Sequence, residues 1–113
     1  MIDLIEVTVL NYLKSVLDVP VRLEIPAQLP SKFVCFFVKD RSKKNLINAV
    51  TLEFYSYSNS KYEAMVLDKQ VREAMENITD LDDISASTLG GGNDTNDTSL
   101  KKYRYRSYYN ITY

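Results

Sequence analysis

Histidine is absent from this chain of 113 residues, and cysteine occurs only once. The absence of histidine removes the commonest general base and a common zinc ligand, and a lone cysteine excludes a disulfide framework within the chain. Cys35 lies in the apolar run FVCFFV, a setting typical of a small buried side chain rather than a reactive thiol. We therefore assign no catalytic, cofactor-binding or metal-binding residue, and we expect a reducing compartment.

Neither sign of charge dominates the chain, because its formal net charge is -1. Such a balance gives no overall attraction to nucleic acid or to an anionic membrane. The opening residues, MIDLIEVTVL, are interrupted by Asp3 and Glu6, unlike a signal peptide or a membrane span. With 45% hydrophobic and 26% charged residues, the composition predicts one soluble domain over 1–113, with proteins as its partners and no membrane association.

Hydrophobic spacing predicts a first helix over residues 2–17, ended by Asp18 and Pro20. Leu4 and Val7 fall on its otherwise polar face, where a monomer has no evident use for them. Three strands are predicted next, over 21–25, 33–39 and 49–57. The middle strand is apolar on both faces, which indicates that both are covered, the second one either by this chain or by another subunit.

The second helix is predicted to begin after Ser60, because Ser60 and Glu63 have the spacing of a capping box. Its pattern continues to about residue 78, with a narrow apolar stripe suited to a helix lying on a sheet. Tyr62, Met65 and Val66 lie away from that stripe and are neighbours on the helix surface. Together with Leu4 and Val7, they are the first candidates for contacts with another subunit or partner, although scattered exposed apolar residues also occur in monomers.

Two polar connections interrupt the predicted strands. The first carries Arg41, Lys43 and Lys44 and is either a solvated hairpin tip or a binding loop. The second, over about 90–99, is rich in Gly, Asn, Asp and Thr and is predicted to be a flexible loop after a short strand over 84–89. A nearby acidic run, formed by Asp80, Asp82 and Asp83, lacks the ligand spacing of a cation site and indicates a solvated turn.

The chain closes on KKYRYRSYYNITY, whose alternation predicts a strand. One face carries Tyr103, Tyr105, Tyr109, Ile111 and Tyr113, and the other carries Lys102, Arg104, Arg106, Asn110 and Thr112. The aromatic face needs a core to cover it, so this last segment is expected to be structural. The complete order is α-β-β-β-α-β-β, an α+β domain with two helices packed on a mainly antiparallel sheet.

This order of elements resembles that of the small tail terminator proteins of long-tailed, siphophage-type bacteriophages, also called tail completion or head-tail joining proteins. The resemblance covers nearly the whole chain and is carried by VPVRLEIP before the apolar second strand, by SYSNSKYEAMVLDKQVREAM, and by the closing YRYRSYYNITY. It is a resemblance of order and spacing and includes no catalytic signature.

The resemblance implies a structural virion assembly protein, not an enzyme, without cofactors. Copies of the chain would form a ring, usually of six subunits, that caps the tail tube, stops its elongation and provides the surface to which the head docks. The implied partners are the chain itself, the tail tube protein and the head completion or connector protein, while DNA passes through the bore without specific recognition. The implied location is the head-tail junction of the virion, after synthesis in the host cytoplasm.

A closed ring requires two different complementary patches on each subunit. Leu4 and Val7 are our candidates for one patch, and Tyr62, Met65 and Val66 for the other. The basic turn and the flexible loop are candidates for ordering against the tube or the connector. Their candidate contact residues are Arg41, Lys43, Lys44, Asn93, Asp94 and Asn96.

The alternative is a small nucleic-acid-binding domain, because α-β-β-β-α is also the element order of a double-stranded RNA-binding domain. Tyr103 and Tyr105 beside Lys102, Arg104 and Arg106 likewise suggest an aromatic and basic platform. Two details disfavour it. The second helix begins with SKYEAM, which has a single lysine and an acid, and the tyrosines and arginines of the last strand alternate onto opposite faces.

Overall fold

The fold is one five-stranded sheet with two helices on one face. A computed structural model describes residues 5–25, 27–28, 30–44, 47–82, 84–94 and 102–113. The elements are α1 (Ile5–Val16), β1 (Val21–Arg22), β2 (Lys32–Lys44), β3 (Ile47–Ser58), α2 (Lys61–Glu76), a 3-10 turn (Ile78–Asp80), β4 (Ala86–Asp94) and β5 (Tyr103–Thr112). The predicted α+β class and element order are confirmed.

The strands lie in the order β1-β2-β3-β5-β4, and every neighbouring pair is antiparallel except β1 and β2. β5 therefore lies inside the sheet, which agrees with the predicted structural role of the last segment. Three predicted boundaries are wrong. β1 has only two residues. β2 continues to Lys44, so residues 40–44 belong to a strand rather than to the predicted basic connection. β4 continues to Asp94, so residues 90–94 belong to a strand rather than to the predicted loop.

The core lies between the helices and the inner face of the sheet. Phe36, Phe54 and Tyr109 come from three adjacent strands and are almost completely buried. Phe36 and Phe54 stack with their ring centroids 5.3 Å apart, and Tyr109 meets Phe54 edge to face at 6.2 Å. Val9 and Leu13 of α1 are buried in the same cluster, as are Leu67 and Val71 of α2. This face corresponds to the inward set of the predicted alternation.

α2 begins where the sequence predicts. The Ser60 side chain accepts a hydrogen bond of 3.1 Å from the backbone N–H of Glu63, which satisfies one of the free donors at the helix start. The Glu63 carboxylate does not close a reciprocal box but accepts a bond of 3.0 Å from the Ser58 hydroxyl. Ser60 and Glu63 thus fix the helix start, and Glu63 also connects it to the end of β3.

Replacing Ser60 with Ala should lower the free energy of unfolding by about 1 kcal/mol, because the cap is lost and no core contact changes. Chemical denaturation of the wild type, Ser60→Ala and Ser31→Ala measures this effect. Ser31 is exposed and lies outside the helices and strands, so it is the matched control. An equal loss in both variants would contradict the capping role.

A β-bulge in β2 changes which face the basic turn occupies. Val38 pairs with Leu52 but Asp40 pairs with Thr51, so Lys39 is an extra residue. Arg41 is consequently opposite Val50, on the face that carries the helices. Without the bulge, the alternation would place Arg41 on the other face.

A second bulge lies in β4, where Leu89 pairs with Tyr109 and Gly91 pairs with Tyr108. A β-carbon on Gly90 would lie 2.7 Å from the Tyr108 ring, and Gly91 has a φ of +152°. The glycines therefore let the Tyr108 ring lie against the edge strand. This packing explains why a Gly-rich segment, predicted to be a loop, is a strand.

Candidate functional site: the interaction surfaces

An open groove runs between α1 and α2. Tyr12 donates a hydrogen bond of 2.8 Å to the carbonyl of Ala74, near the end of α2. Asp18, just beyond α1, lines one hollow with Tyr62 from the start of α2 and a second with Glu73 from its end. The groove consists of two adjoining hollows of about 460 and 290 Å³ that share Asp18 and Gln70. We call this surface the helix groove.

The helix groove combines apolar walls with negative charge. The apolar walls include Tyr12, Val16, Leu17, Val19, Tyr62 and Val66. Asp18, Glu63 and Glu73 supply carboxylates, and Lys32 is the only cation among the lining residues in the described part of the chain. Burial, and secondarily the charge of Asp80, raises the pKa of Tyr12 above its usual value. The groove therefore suits an occupant that is apolar and basic.

The predicted contact residues of the helices do not form one surface. Tyr62, Met65 and Val66 are exposed to 74%, 48% and 37%, and Tyr62 and Val66 line the groove. Val7 is exposed to 42%, but it lies on the first turn of α1, away from the α1 residues that line the groove. Leu4 lies outside the described residues.

The predicted basic turn is a hairpin tip between β2 and β3. Arg41 is paired with Glu6 of α1, and this contact raises the pKa of Arg41 and lowers that of Glu6 despite partial burial of the carboxylate. Lys43 is exposed, and Ile47 at the start of β3 is 55% exposed. Arg41 is therefore used inside the chain. Lys43 and Ile47 remain at the surface of the tip.

The other residues predicted to contact the tube or connector fall near the end of β4. Asn93 and Asp94 pair with Arg106 and Tyr105 of β5, so their backbones belong to the sheet. Asn96 lies outside the described residues, as do the other residues of the predicted loop from 95 to 99. Removing residues 91–96 would therefore delete the last four residues of β4, and such a deletion tests folding and joining together.

The outer face of the sheet, opposite the helices, carries aromatic rings with cations above them. The Arg104 guanidinium lies 4.7 Å from the Tyr55 ring centroid and 5.9 Å from that of Tyr57. Lys39 and Arg106 lie 4.7 and 5.4 Å from the Tyr108 ring centroid. Tyr105 and Tyr109 of β5 do lie on the face opposite Arg104 and Arg106, as predicted. The conclusion that no mixed aromatic and basic surface forms is wrong, because rings of β3 and the Tyr108 ring share the face of the arginines.

One end of this outer face is closed. Phe33 and Tyr57 are buried and stack at 4.5 Å. The Cys35 thiol beside them is completely buried and donates a hydrogen bond of 3.4 Å to the carbonyl of Glu24. The segment after β1 thus supplies a contact on the second side of β2. Toward Phe37, which is 36% exposed, the face is open.

Cys35 should be inert in the folded protein. Burial raises its pKa to about 11, with a smaller opposing effect from Arg22. Relative to a thiol with a pKa near 9, this leaves roughly 100-fold less thiolate at neutral pH. Alkylation at pH 8, followed by mass spectrometry, should be at least about 100-fold slower in buffer than in denaturant. Equal rates would contradict the buried placement.

Both edges of the sheet carry features that oppose strand addition. β1 covers only Val34 and Cys35 of β2, so the rest of that edge has no strand partner in the described part of the chain. It contains the bulge at Lys39, and the β4 edge contains the bulge at Gly90. Bulges and edge charges are common protections against edge pairing. The helix groove, the hairpin tip and the outer face remain as the interaction surfaces.

No protein-family model and no curated protein sequence matches this chain. Among the residues that the structure describes, there is no grouping of three or more Cys, Asp or Glu side chains able to hold a metal ion. Asp80 and Asp82 of the acidic run are exposed, and Asp83 lies outside the described residues. No helix within the described ranges is long and apolar enough to cross a membrane.

Proposed function

We propose that this chain is a structural, non-enzymatic phage protein of the tail-terminator kind, which forms a ring on the end of the tail tube at the head-tail junction. The ring, a hexamer by resemblance, stops tube elongation and offers the head completion or connector protein a docking surface. DNA passes through its bore without specific recognition. The element order that carries the resemblance supports this proposal.

One observation supports it most: each subunit has an acidic, apolar surface and a separate basic one. The helix groove carries three lining carboxylates, whereas the hairpin tip and the outer sheet face carry exposed or stacked cations. Two unlike surfaces on one subunit permit head-to-tail association. Such contacts close into a ring when the rotation between neighbouring subunits is a whole fraction of a full turn. A two-fold dimer would instead use one surface twice.

The proposed mechanism needs only binding. A tail tube grows while its last ring exposes a surface that accepts another tube subunit. A terminator ring covers that surface and presents a different one, so growth ends and the head can dock. The protein contributes shape, charge and apolar contact to each step, and no bond of the tube is made or broken.

The tube-length distribution tests this function. Purified tube protein is polymerised with increasing amounts of the chain, and lengths are measured by electron microscopy. Terminator activity should shorten the mean length and then prevent further growth of capped tubes when fresh tube protein is added. Continued growth at every concentration would contradict the proposal.

Nucleic-acid binding is a second candidate, favoured by the outer sheet face. Open sheets with aromatic and basic side chains bind single strands by stacking and phosphate contact. Two features weaken the comparison here: Arg106 is paired with Glu53 at 3.1 Å, and the Arg104 guanidinium already lies over Tyr55. A mobility shift that weakens steeply with salt, and is lost on replacing Arg104 and Tyr108 with Ala, would favour this candidate.

A further inference from the structure

The helix groove and the outer sheet face lie on opposite sides of the same sheet. The groove carries Asp18, Glu63 and Glu73 beside apolar walls. The outer face carries Lys39 and Arg104 over aromatic rings. The two surfaces are therefore complementary in charge, and both offer apolar area. Because the sheet separates them, a subunit cannot place one against the other, so a contact between them joins two copies.

The acidic side chains of the outer face already have contacts within the chain. Glu53 pairs with Arg106 at 3.1 Å, and the Asp40 carboxylate accepts a hydrogen bond of 2.9 Å from the backbone N–H of Arg41. Lys39 is exposed on this face. The outer face therefore presents positive charge to a neighbouring molecule.

The contacts of α2 show which groove residues are level with which residues of the outer face. Tyr109 of β5 donates a hydrogen bond of 3.4 Å to the carbonyl of Arg72 on the helix side. The next residue back, Tyr108, points to the outer side, and the Lys39 ammonium lies 4.7 Å from its ring centroid. Glu73 follows Arg72 in α2. Lys39 and Glu73 are therefore level with each other on opposite sides of the sheet.

A second pair of features is level nearer the start of α2. The Glu63 carboxylate accepts a hydrogen bond from Ser58 at the end of β3, so the first turns of α2, which include Val66, lie over that end of the sheet. Arg104 pairs with Tyr57 in the sheet, so its guanidinium lies at the same end on the outer side. The cations of the outer face thus follow the same order along the strands as the acidic groove.

Rotation about a ring axis does not change the height of any point along that axis. A ring whose axis lies along the strands therefore brings level features of neighbouring subunits together. The exposed Glu73 carboxylate can take such a partner, because its ion pair with Lys69 is exposed and long, at 4.0 Å, and so adds little.

We infer that the outer sheet face of each subunit packs on the helix groove of the next, with Lys39 facing Glu73 and Arg104 facing the hollow around Val66. This inference rests on the proposed ring and names its subunit contact. Each copy supplies one outer face and one groove, so the contact is heterologous and repeats around the ring.

The test is a charge swap. Lys39→Glu and Glu73→Lys should each weaken self-association at least tenfold, because each places like charges together. The double variant carries both changes and should return to within about threefold of wild type, since the pair is restored with reversed signs. Sedimentation velocity and electron microscopy, with and without tube ends, measure ring formation.

Glu76→Lys is the matched control. Glu76 is exposed on the same helix and lies outside the described lining of the groove. Each of the two glutamates has a cation four residues before it, Lys69 or Arg72, so both changes alter the helix surface alike. The control should leave self-association unchanged. All variants should remain folded, because Lys39 and Glu73 are also exposed, and circular dichroism with thermal unfolding checks this.

The outcomes separate this contact from the proposed function. If wild type forms no ring, either alone or on tube ends, both are overturned. Rings that form equally well in both single variants leave the proposed function standing and overturn the assigned contact. A double variant that stays as weak as the singles, or an equal loss in Glu76→Lys, also overturns the contact.

Discussion

Val66→Lys should yield a folded protein that forms no rings. Val66 lines the helix groove and is 37% exposed, so a lysine can extend into solvent in the free subunit. In a ring, its charge would have to lose water against an apolar partner. Central interface positions typically contribute about 2–4 kcal/mol, which corresponds to a loss of roughly 30- to 1000-fold in affinity. Sedimentation velocity measures the loss.

Val7→Lys, at our candidate for the other patch, is the comparison variant for that experiment. Val7 is the same residue type at similar exposure, 42%, but on the first turn of α1 outside the groove. Self-association that survives Val7→Lys and fails with Val66→Lys places the contact at the groove. The reverse result would instead favour the start of α1, and loss in neither would contradict both predicted helix patches. Met65→Lys, beside the groove at 48% exposure, should have an intermediate effect.

Tyr109→Ala should cause the largest loss of stability among single substitutions considered in this protein. Tyr109 is completely buried in β5, packs edge to face on Phe54 at 6.2 Å, and donates a hydrogen bond of 3.4 Å to the carbonyl of Arg72. Truncating a buried aromatic side chain costs about 3–5 kcal/mol. That is a large share of the roughly 5–15 kcal/mol by which a domain is stable, so many molecules would be unfolded under mild conditions.

Tyr103→Ala is the matched substitution on the same strand. Tyr103 belongs to the same alternation set but is 40% exposed where β5 begins. Its loss should cost less than about 1 kcal/mol. Urea unfolding followed by circular dichroism gives both free energies. Similar values for the two tyrosines would contradict the placement of β5 inside the sheet.

Local signals in the sequence predicted the elements that depend on neighbouring residues. Ser60 and Glu63 located the start of α2 because capping is a contact between residues three apart. The alternation of β5 identified its inward set, and Tyr109 and Ile111 are indeed buried. Tyr103 of the same set is exposed, because alternation gives the face of a residue but not how far the cover extends along the strand.

The bulges and the groove could not be read from local patterns. The bulge at Lys39 depends on pairing between β2 and β3, and it decides that Arg41 meets Glu6. The helix groove joins residues from α1 and α2 that are far apart in sequence. Exposure on one helix therefore predicts Tyr62 and Val66 as contacts, whereas local sequence marks Asp18 only as a helix end.

The outer face was misjudged for the same physical reason. Within the last strand, Arg104 alternates with Tyr103 and Tyr105, which suggested separate faces. Tyr55 of β3 lies beneath Arg104, and this contact is fixed by strand order and pairing rather than by alternation within one strand.

Electron microscopy of the purified protein, alone and mixed with unterminated tail tubes, tests the ring proposal most directly. The ring proposal predicts discrete rings, with one at the end of each capped tube, and no rings when Val66→Lys replaces wild type. Tubes that stay bare and a protein that remains dispersed in both samples would contradict it.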